Sequence, residues 1–394
     1  AVTNFLASMT ARPGLTAADR LCAVTTLSFD IAVLELWLPL AVGAEIVLAT
    51  RDQATDGHAL KALLEDSRAT IMQATPATWR MLIEAGWRGG PGVTALCGGE
   101  ALPAELAEAL LERTGALWNM YGPTETTVWS TCAHIRPGQG DITIGAPIAN
   151  TTAWILDDAG QPVPIGVPGE LCLGGAGVAL GYHHRPELTA ERFIAAGFLG
   201  GARLYRTGDL ARWRPDGTLQ HLGRTDFQVK VRGYRIELGE IEVALARHPA
   251  IAQATVIARE DQPGDPRLVA YLVAAPGQAV PGDDALRAHL TRTLPDYMVP
   301  ARFVALAALP LTGSGKVDRK ALPAPGGPAI AAAGPEVAPR TPLEQTVAHA
   351  FAETLAVARL SIHDDFFALG GHSLLVAQMA ARLAKQLGRA VPMR

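Results

Sequence analysis

The chain has 394 residues, 49% of them apolar and 18% charged, with a formal net charge of −4. That length suggests about two to three domains with room for sizeable cores, and the slightly acidic balance argues against an electrostatic nucleic-acid binder. Four cysteines (Cys22, Cys97, Cys132, Cys172) show no C-x-x-C spacing and no His pair completes a zinc pattern, so neither a disulfide framework nor a zinc ribbon is expected and a reducing, cytoplasmic compartment is the simpler reading.

No signal peptide is visible. The most apolar stretch, Ile31 to Ala49, contains Glu35, Pro39 and Glu45, which makes it a buried element and not a membrane span. The chain starts at Ala1 without a Met and is expected to be a fragment. Farther along, Ala59 to Glu65 has a helical pattern and Ala69 to Gln73 reads as a buried strand. Val93 to Cys97 is a strand running into the turn Gly98-Gly99. Pro103 to Arg113 is a helix with Pro near its start, where a missing N–H costs little. Strand–turn–helix repetition of this kind implies an α/β layer architecture.

From Thr143 the pattern changes to short β runs between Gly/Pro turns, such as Ala153 to Leu156 and Glu170 to Leu173. Asp209 to Leu222 reads as a hairpin with Pro215-Asp216-Gly217 at its tip. A smaller α+β unit follows: strands at Gln228 to Val231, Ile251 to Ala258 and Leu268 to Val273, and helices at Leu238 to Arg247 and Asp284 to Thr293. Residues 323–341 hold five Pro and three Gly without apolar periodicity and read as a linker. As flexible coil it spans about 25 Å, and as extended polyproline roughly 60 Å. The last segment is helical. Thr341-Pro342-Leu343-Glu344 forms a capping box, and Leu343, Val347, Phe351 and Leu355 mark one helix face. A second helix is expected from Ser373, and no convincing final helix precedes Arg394.

Several segments carry residues suited to chemistry, each with a plain structural alternative. Asn119 to Glu125 reads as a polar loop after an apolar strand. Its Tyr can stack on a base, its Thr can bond a phosphate and its Glu can hold a hard cation, or it is a Gly-Pro turn with surface polar groups. Tyr205 to Asp209 sets a carboxylate beside a glycine, which suits ribose hydroxyls or an ordinary turn. Leu311 to Lys316 resembles a phosphate loop but fails the Walker spacing, because Pro310 stands at the first Gly position and Val317 follows the Lys. Ser373, after Gly370-Gly371-His372, is either a helix N-cap or a modification site. Gly174-Gly175-Ala176-Gly177 reads as turn structure, and His183-His184 as surface.

Taken in order, these segments resemble the amino-acid adenylation domain and carrier domain of nonribosomal peptide synthetases. The matching stretches are Leu27 to Asp30, Asn119 to Glu125, Gly169 to Leu171, Tyr205 to Asp209, Gly223 to Glu237, Leu294 to Pro300, Gly315-Lys316 and Asp365 to Ser373. The resemblance implies a multidomain chain. A partial α/β adenylate-forming large domain with a β-rich subdomain would occupy 1–225. A small α+β subdomain would occupy 226–322, the linker 323–341, and a partial helical carrier bundle 342–394. It implies ATP-driven adenylation of an amino acid and transfer to a 4'-phosphopantetheine thiol. Tyr121 would stack on adenine with Asn119 nearby, Thr124 would contact phosphate, and Glu125 would hold Mg²⁺. Asp209 would bind the ribose beside Arg224, Asp226 would be the hinge, Lys316 would bridge carboxylate and α-phosphate, and Ser373 would carry the phosphopantetheine.

The resemblance places the substrate pocket at Asp30, Ile31, Leu34, Gln73, Leu96, Gly98, Met120, Val128, Trp129 and Lys316, with Asp30 pairing the substrate ammonium. Trp129, Met120 and Leu34 are bulky, and the set resembles that of glycine-activating members. Glycine is therefore the expected substrate, with alanine the runner-up. The family's phosphate loop is expected to lie upstream of Ala1. Partners implied are a small amino acid, a phosphopantetheinyl transferase and neighbouring condensation or other synthetase domains, with no nucleic acid and no membrane. Two alternatives stand beside this reading. An acyl-coenzyme A synthetase would leave Asp30 without an ammonium to pair. A carrier or docking fragment would attach phosphopantetheine at Ser373 without turning over ATP.

Overall fold

The computed structural model describes residues 1–226, 228–231, 234–261, 266–311, 317–325 and 337–355, with scattered positions beyond (360–363, 366, 379, 382, 383, 386, 387). Contacts divide the chain into two units, Ala1–Asp226 and Phe227–Arg394. Lys316, Ser373, most of the expected linker and the expected second carrier helix lie outside the described residues.

In the first unit, β1 (Arg20–Ala23), β2 (Glu45–Leu48), β3 (Ile71–Ala74), β4 (Gly90–Gly98), β5 (Thr114–Tyr121), β6 (Thr131–Ile135) and β7 (Ala146–Pro147) form one sheet in the order β2-β1-β3-β4-β5-β6-β7. The strands from β2 to β5 run parallel, and β6 and β7 are antiparallel additions. Parallel neighbours need crossover helices, and the sequence supplies them with local stop and start signals. The start of α4 (Gly57–Ser67) is capped by the Asp56 carboxylate, which accepts from the His58 and Ala59 N–H groups. α5 (Pro76–Glu84) is capped by Thr75 with Pro at the first turn, and α6 (Ala104–Leu111) follows β4. All four residues of β3 are buried, as expected for a strand covered on both faces.

The stretch Ile31 to Ala49 splits in two. Its helix, α2 (Ala32–Val42), ends at Gly43, whose φ of 79° is the left-handed conformation that commonly terminates helices. The chain then forms β2 at the sheet edge. Ile31, Leu34 and Leu38 are buried, whereas Trp37, Leu40 and Leu48 are exposed, so burial covers only one side of this stretch.

A second, all-antiparallel sheet completes the unit. It runs β10 (Phe193–Ala196), β11 (Ala202–Trp213), β9 (Gly169–Gly175), β8 (Thr151–Leu156), with β12 (Leu219–Arg224) also paired to β11. The expected hairpin is present but its first strand is longer than the pattern suggested. β11 has 12 residues and keeps pairing across register shifts that bracket Arg206 to Leu210 and fall again at Leu210/Ala211.

The second unit contains the hairpin β13 (Gln228–Val231) with β14 (Tyr234–Glu237). It also holds a three-stranded sheet of β15 (Ile251–Arg259), β16 (Arg267–Ala274) and β17 (Arg302–Ala305). Helices α8 (Leu238–Ala246) and α9 (Asp283–Leu290) contribute Ile241, Leu245, Leu286 and Leu290 to its core. Farther on, α10 (Pro342–Leu355) opens with the expected capping box. The Thr341 hydroxyl accepts from the Glu344 N–H at 3.2 Å, and the Glu344 carboxylate accepts from the Thr341 N–H at 3.1 Å.

Candidate active site

The C-terminal ends of β3, β4 and β5 lie side by side, the place where open α/β sheets bind ligands. Gln73, Leu96 to Gly98, and Asn119 to Tyr121 are carried there. Asn119, Met120 and Tyr121 belong to the end of β5 itself and not to the loop after it. Successive strand residues face opposite ways, so Met120 turns to one cluster and Asn119 and Tyr121 to another.

Around Met120, the side chains of Ile31, Leu34, Leu96, Val128 and Trp129 form one apolar cluster. Trp129 is 1% exposed. Its ring fills the space in front of Gly98: a methyl there would stand 2.6 Å from Trp129 Cη2 and 2.7 Å from the Met120 carbonyl oxygen. Glycine at 98 is thus a steric necessity of the present packing. Gln73, fully buried, donates through Nε2 to the Ile31 carbonyl at 2.9 Å and to Glu35 Oε1 at 2.9 Å. Its Oε1 accepts the Trp129 indole N–H at 2.8 Å. Glu35, also fully buried, takes further hydrogen bonds from the Val24 and Thr25 N–H groups and from the Thr25 hydroxyl. Burial pushes its carboxyl above the ordinary value, against the pull of those donors. Asp30 sits half-buried just before α2.

The loop between β5 and β6 holds Val128 and Trp129 in place at a conformational cost. Thr127 and Val128 both adopt left-handed backbone (φ 68° and 66°), which costs roughly 1–3 kcal/mol each for such residues. Four hydrogen bonds hold the loop. Ser130 N–H donates to the Tyr121 carbonyl, and the Ala179 N–H donates to the Glu125 carbonyl. The Thr127 hydroxyl donates to the Gly177 carbonyl, and the Thr126 and Ser130 hydroxyls bond at 2.6 Å. Gly122 lets the loop pass closely, since a Cβ there would meet the Val128 carbonyl oxygen at 2.3 Å.

On the other side of β5 the chemistry is ionic. The Tyr121 hydroxyl donates to Asp209 Oδ2 at 2.5 Å, and Arg224 Nη1 donates to Asp209 Oδ1 at 2.9 Å. His221 Nε2 lies 3.2 Å from the same oxygen. Burial alone would raise the Asp209 carboxyl, but His221, Arg224 and Tyr121 hold it below its ordinary value. Burial, then the Asp209 charge, pushes the Tyr121 phenol upward. Arg224 also clasps Asp226, the last residue of the first unit, with Nε to Oδ1 at 2.7 Å and Nη2 to Oδ2 at 2.8 Å. Asn119 is tied to the Thr143 carbonyl at 2.8 Å.

Thr124 is exposed at the start of the loop, and the next residue, Glu125, is buried and accepts the Tyr182 hydroxyl at 2.7 Å. A carboxylate beside a hydroxyl is a hard-oxygen donor set that suits Mg²⁺ shared with substrate phosphates. A broader cleft of about 730 Å³ lies elsewhere, lined by Leu180, Tyr182, His183, Thr189, Phe193 and Arg203, and shares none of the expected site residues. The structure therefore draws together every described pocket residue, and separately Tyr121, Asp209, Arg224 and Asp226.

Sequence reasoning missed Glu35, Tyr182 and His221. The available signal for Glu35 was a carboxylate four residues after Ile31 in an otherwise apolar helix. Tyr182 and His221 reach their partners over 57 and 12 residues, with no local motif to announce them.

Three family models match the chain: the AMP-binding enzyme over residues 1–183, the AMP-binding enzyme C-terminal domain over 240–316, and the phosphopantetheine attachment site over 345–394. The chain is 50% identical over 389 residues to a dimodular nonribosomal peptide synthase of Bacillus subtilis, covering 98% of this chain and 16% of that protein. It is 44% identical over 396 residues to an isonitrile lipopeptide synthase of Mycobacterium tuberculosis, covering 100% of this chain and 15% of that one. Among solved structures, it resembles a four-domain nonribosomal peptide synthetase bound to AMP and glycine, at 46% identity and TM-score 0.57, over 100% of this chain and 29% of that one. It also resembles a holo protein with adenylation and PCP domains bound to a vinylsulfonamide inhibitor, at 30% identity and TM-score 0.74, over 95% and 62% of the two chains. The chain thus spans a small fraction of the curated relatives it matches.

Proposed function

The chain belongs to the AMP-binding enzymes, in the adenylation-plus-carrier arrangement of nonribosomal peptide synthetases, and from that premise we propose that it activates glycine with ATP and passes it to a phosphopantetheine thiol. The observation that carries the choice of glycine is the Trp129 ring packed against Gly98 beneath Met120 and Leu34, which leaves the substrate little volume beyond its α-carbon. A relative of 46% identity holds AMP and glycine, which supports the same reading.

In this reading the glycine carboxylate attacks the α-phosphorus of ATP, pyrophosphate leaves, and the thiolate then displaces AMP from the acyl adenylate. Asp30 pairs with the substrate ammonium. Tyr121 offers its ring to adenine while its hydroxyl stays on Asp209, and Asp209 accepts from the ribose beside Arg224. Thr124 and Glu125 are the residues that would hold Mg²⁺, whose chemistry there is neutralisation of phosphate charge. Family position gives Lys316 the bridge between carboxylate and α-phosphate, Asp226 the hinge and Ser373 the phosphopantetheine. Domain boundaries follow at 225/226, 322/323 and 341/342. A phosphopantetheinyl transferase and neighbouring condensation domains are the inferred partners, and the cytoplasm the inferred compartment. Among the described residues, no helix is long and apolar enough to cross a membrane.

The test is amino-acid-dependent ATP–pyrophosphate exchange, run on this chain and on one extended upstream through the phosphate loop. Glycine-selective exchange is expected, and Asp30→Ala should cut it by two orders of magnitude or more, the scale of about 3–5 kcal/mol for stripping a buried charge of its partner. Exchange with a large amino acid overturns the pocket reading. No exchange in a folded extended chain overturns the enzymatic one.

A further inference from the structure

The expected pocket residues include the Trp129 ring and the Gln73 amide, but nothing in that set explains why the amide faces the way it does. Gln73 has two ends of opposite polarity. The Trp129 indole N–H can only donate, so it requires the carbonyl end. At the other end the Ile31 carbonyl and Glu35 Oε1 accept, so they require the amino end. Glu35 is in turn fixed from behind by the Val24 N–H at 2.8 Å, the Thr25 N–H at 2.9 Å and the Thr25 hydroxyl at 2.5 Å, all donating to it. The result is a buried chain running from the β1–α2 connection through Glu35 and Gln73 to the ring that packs against Gly98.

We propose that Glu35 is a positioning residue of the substrate pocket: by accepting from Gln73 it sets the polarity of that amide and so holds the Trp129 indole against Gly98. It touches no substrate itself. The inference rests on reading this cluster as the substrate pocket and adds a residue outside the expected pocket set. Its physical basis is that buried polar groups must be paired, and a reversed amide would set donor against donor at Trp129 and acceptor against acceptor at Ile31.

Glu35→Gln tests this without changing shape. Whichever way the new amide sits, its NH₂ meets either the Gln73 NH₂ or the two backbone N–H groups of Val24 and Thr25. The first readout needs no substrate: the indole N–H resonance of Trp129, identified by its loss in Trp129→Phe, should move in Glu35→Gln. The second is the ratio of glycine to alanine exchange, which should fall about tenfold, the scale of one lost buried hydrogen bond. The swap Glu35→Gln with Gln73→Glu restores an acceptor facing the indole and a donor facing it from position 35. It should return the resonance and recover most of the ratio, which a merely structural role for Glu35 would not do. An unmoved resonance in the folded single variant, or a swap no better than the single variant, overturns the proposal. If Glu35→Gln does not fold, Thr25→Val removes one donor to Glu35 with its charge intact, and an unchanged indole resonance there overturns it as well. Because the resonance is read without substrate, a shifted signal in an enzyme that prefers another amino acid sinks glycine and leaves the Glu35 role standing.

Discussion

The two sides of β5 solve different problems. Around Met120 the groups in contact are mostly neutral and closely packed, and the one carboxylate, Glu35, stands behind Gln73 and away from the apolar cluster. Around Tyr121 the same strand meets an ionic cluster in which Asp209 takes a phenol, a guanidinium and an imidazole at once. The first region selects by volume, a modest instrument: one methylene is worth only about 1–3 kcal/mol. The second holds charge in place before a polar ligand arrives, and costs more to disturb. Sensitivity to mutation and to pH should therefore concentrate on the Tyr121 side, and sensitivity of selectivity on the Met120 side.

The comparison breaks most directly at Asp209. Asp209→Ala strips the buried Tyr121 hydroxyl and one arm of Arg224 of their acceptor, and should cost the first unit about 3–5 kcal/mol in denaturant unfolding. A loss below ~1 kcal/mol would falsify the view that this cluster is the costlier of the two regions. Next in size, Trp129→Gly should admit larger amino acids in the exchange assay and reduce discrimination against alanine by about tenfold or more. A variant still restricted to glycine would move selectivity away from the Met120 side. The smallest effect is acid sensitivity. The Asp209 carboxyl is held below its ordinary value, so its contribution is complete above about pH 4 and disappears as pH falls through the folded-state value. Thermal melts between pH 5 and pH 3 should show a drop that Asp209→Ala diminishes, whereas Trp129→Gly should leave the drop intact.

Much of the fold was legible because it depends on local pattern. The cap at Thr75 with Pro76, the buried run at β3 and the Thr341–Glu344 box are all readable within a few residues. Asn119 to Tyr121 looked like a loop because polar side chains interrupt the apolar run, yet ladder pairing with β4 and β6 continues through all but the last step. The Ile31 to Ala49 segment looked uniformly buried because composition does not reveal Gly43 as a helix terminus or β2 as an edge. The pocket positions were reachable through family resemblance, but the relay behind them was not. Gln73 meets Glu35 across 38 residues and Trp129 across 56, and no periodicity encodes such pairs.

The capping box at the head of α10 has a consequence for how such chains can be recombined. Thr341 and Glu344 satisfy each other's backbone N–H groups without help from any residue upstream of 340, apart from the Arg340 N–H that Glu344 also accepts. The start signal of this helix therefore travels with the downstream piece. A crossover anywhere in 323–339 would hand α10 to a new neighbour with its first turn already specified, making that stretch a natural splice junction for chimeric modules.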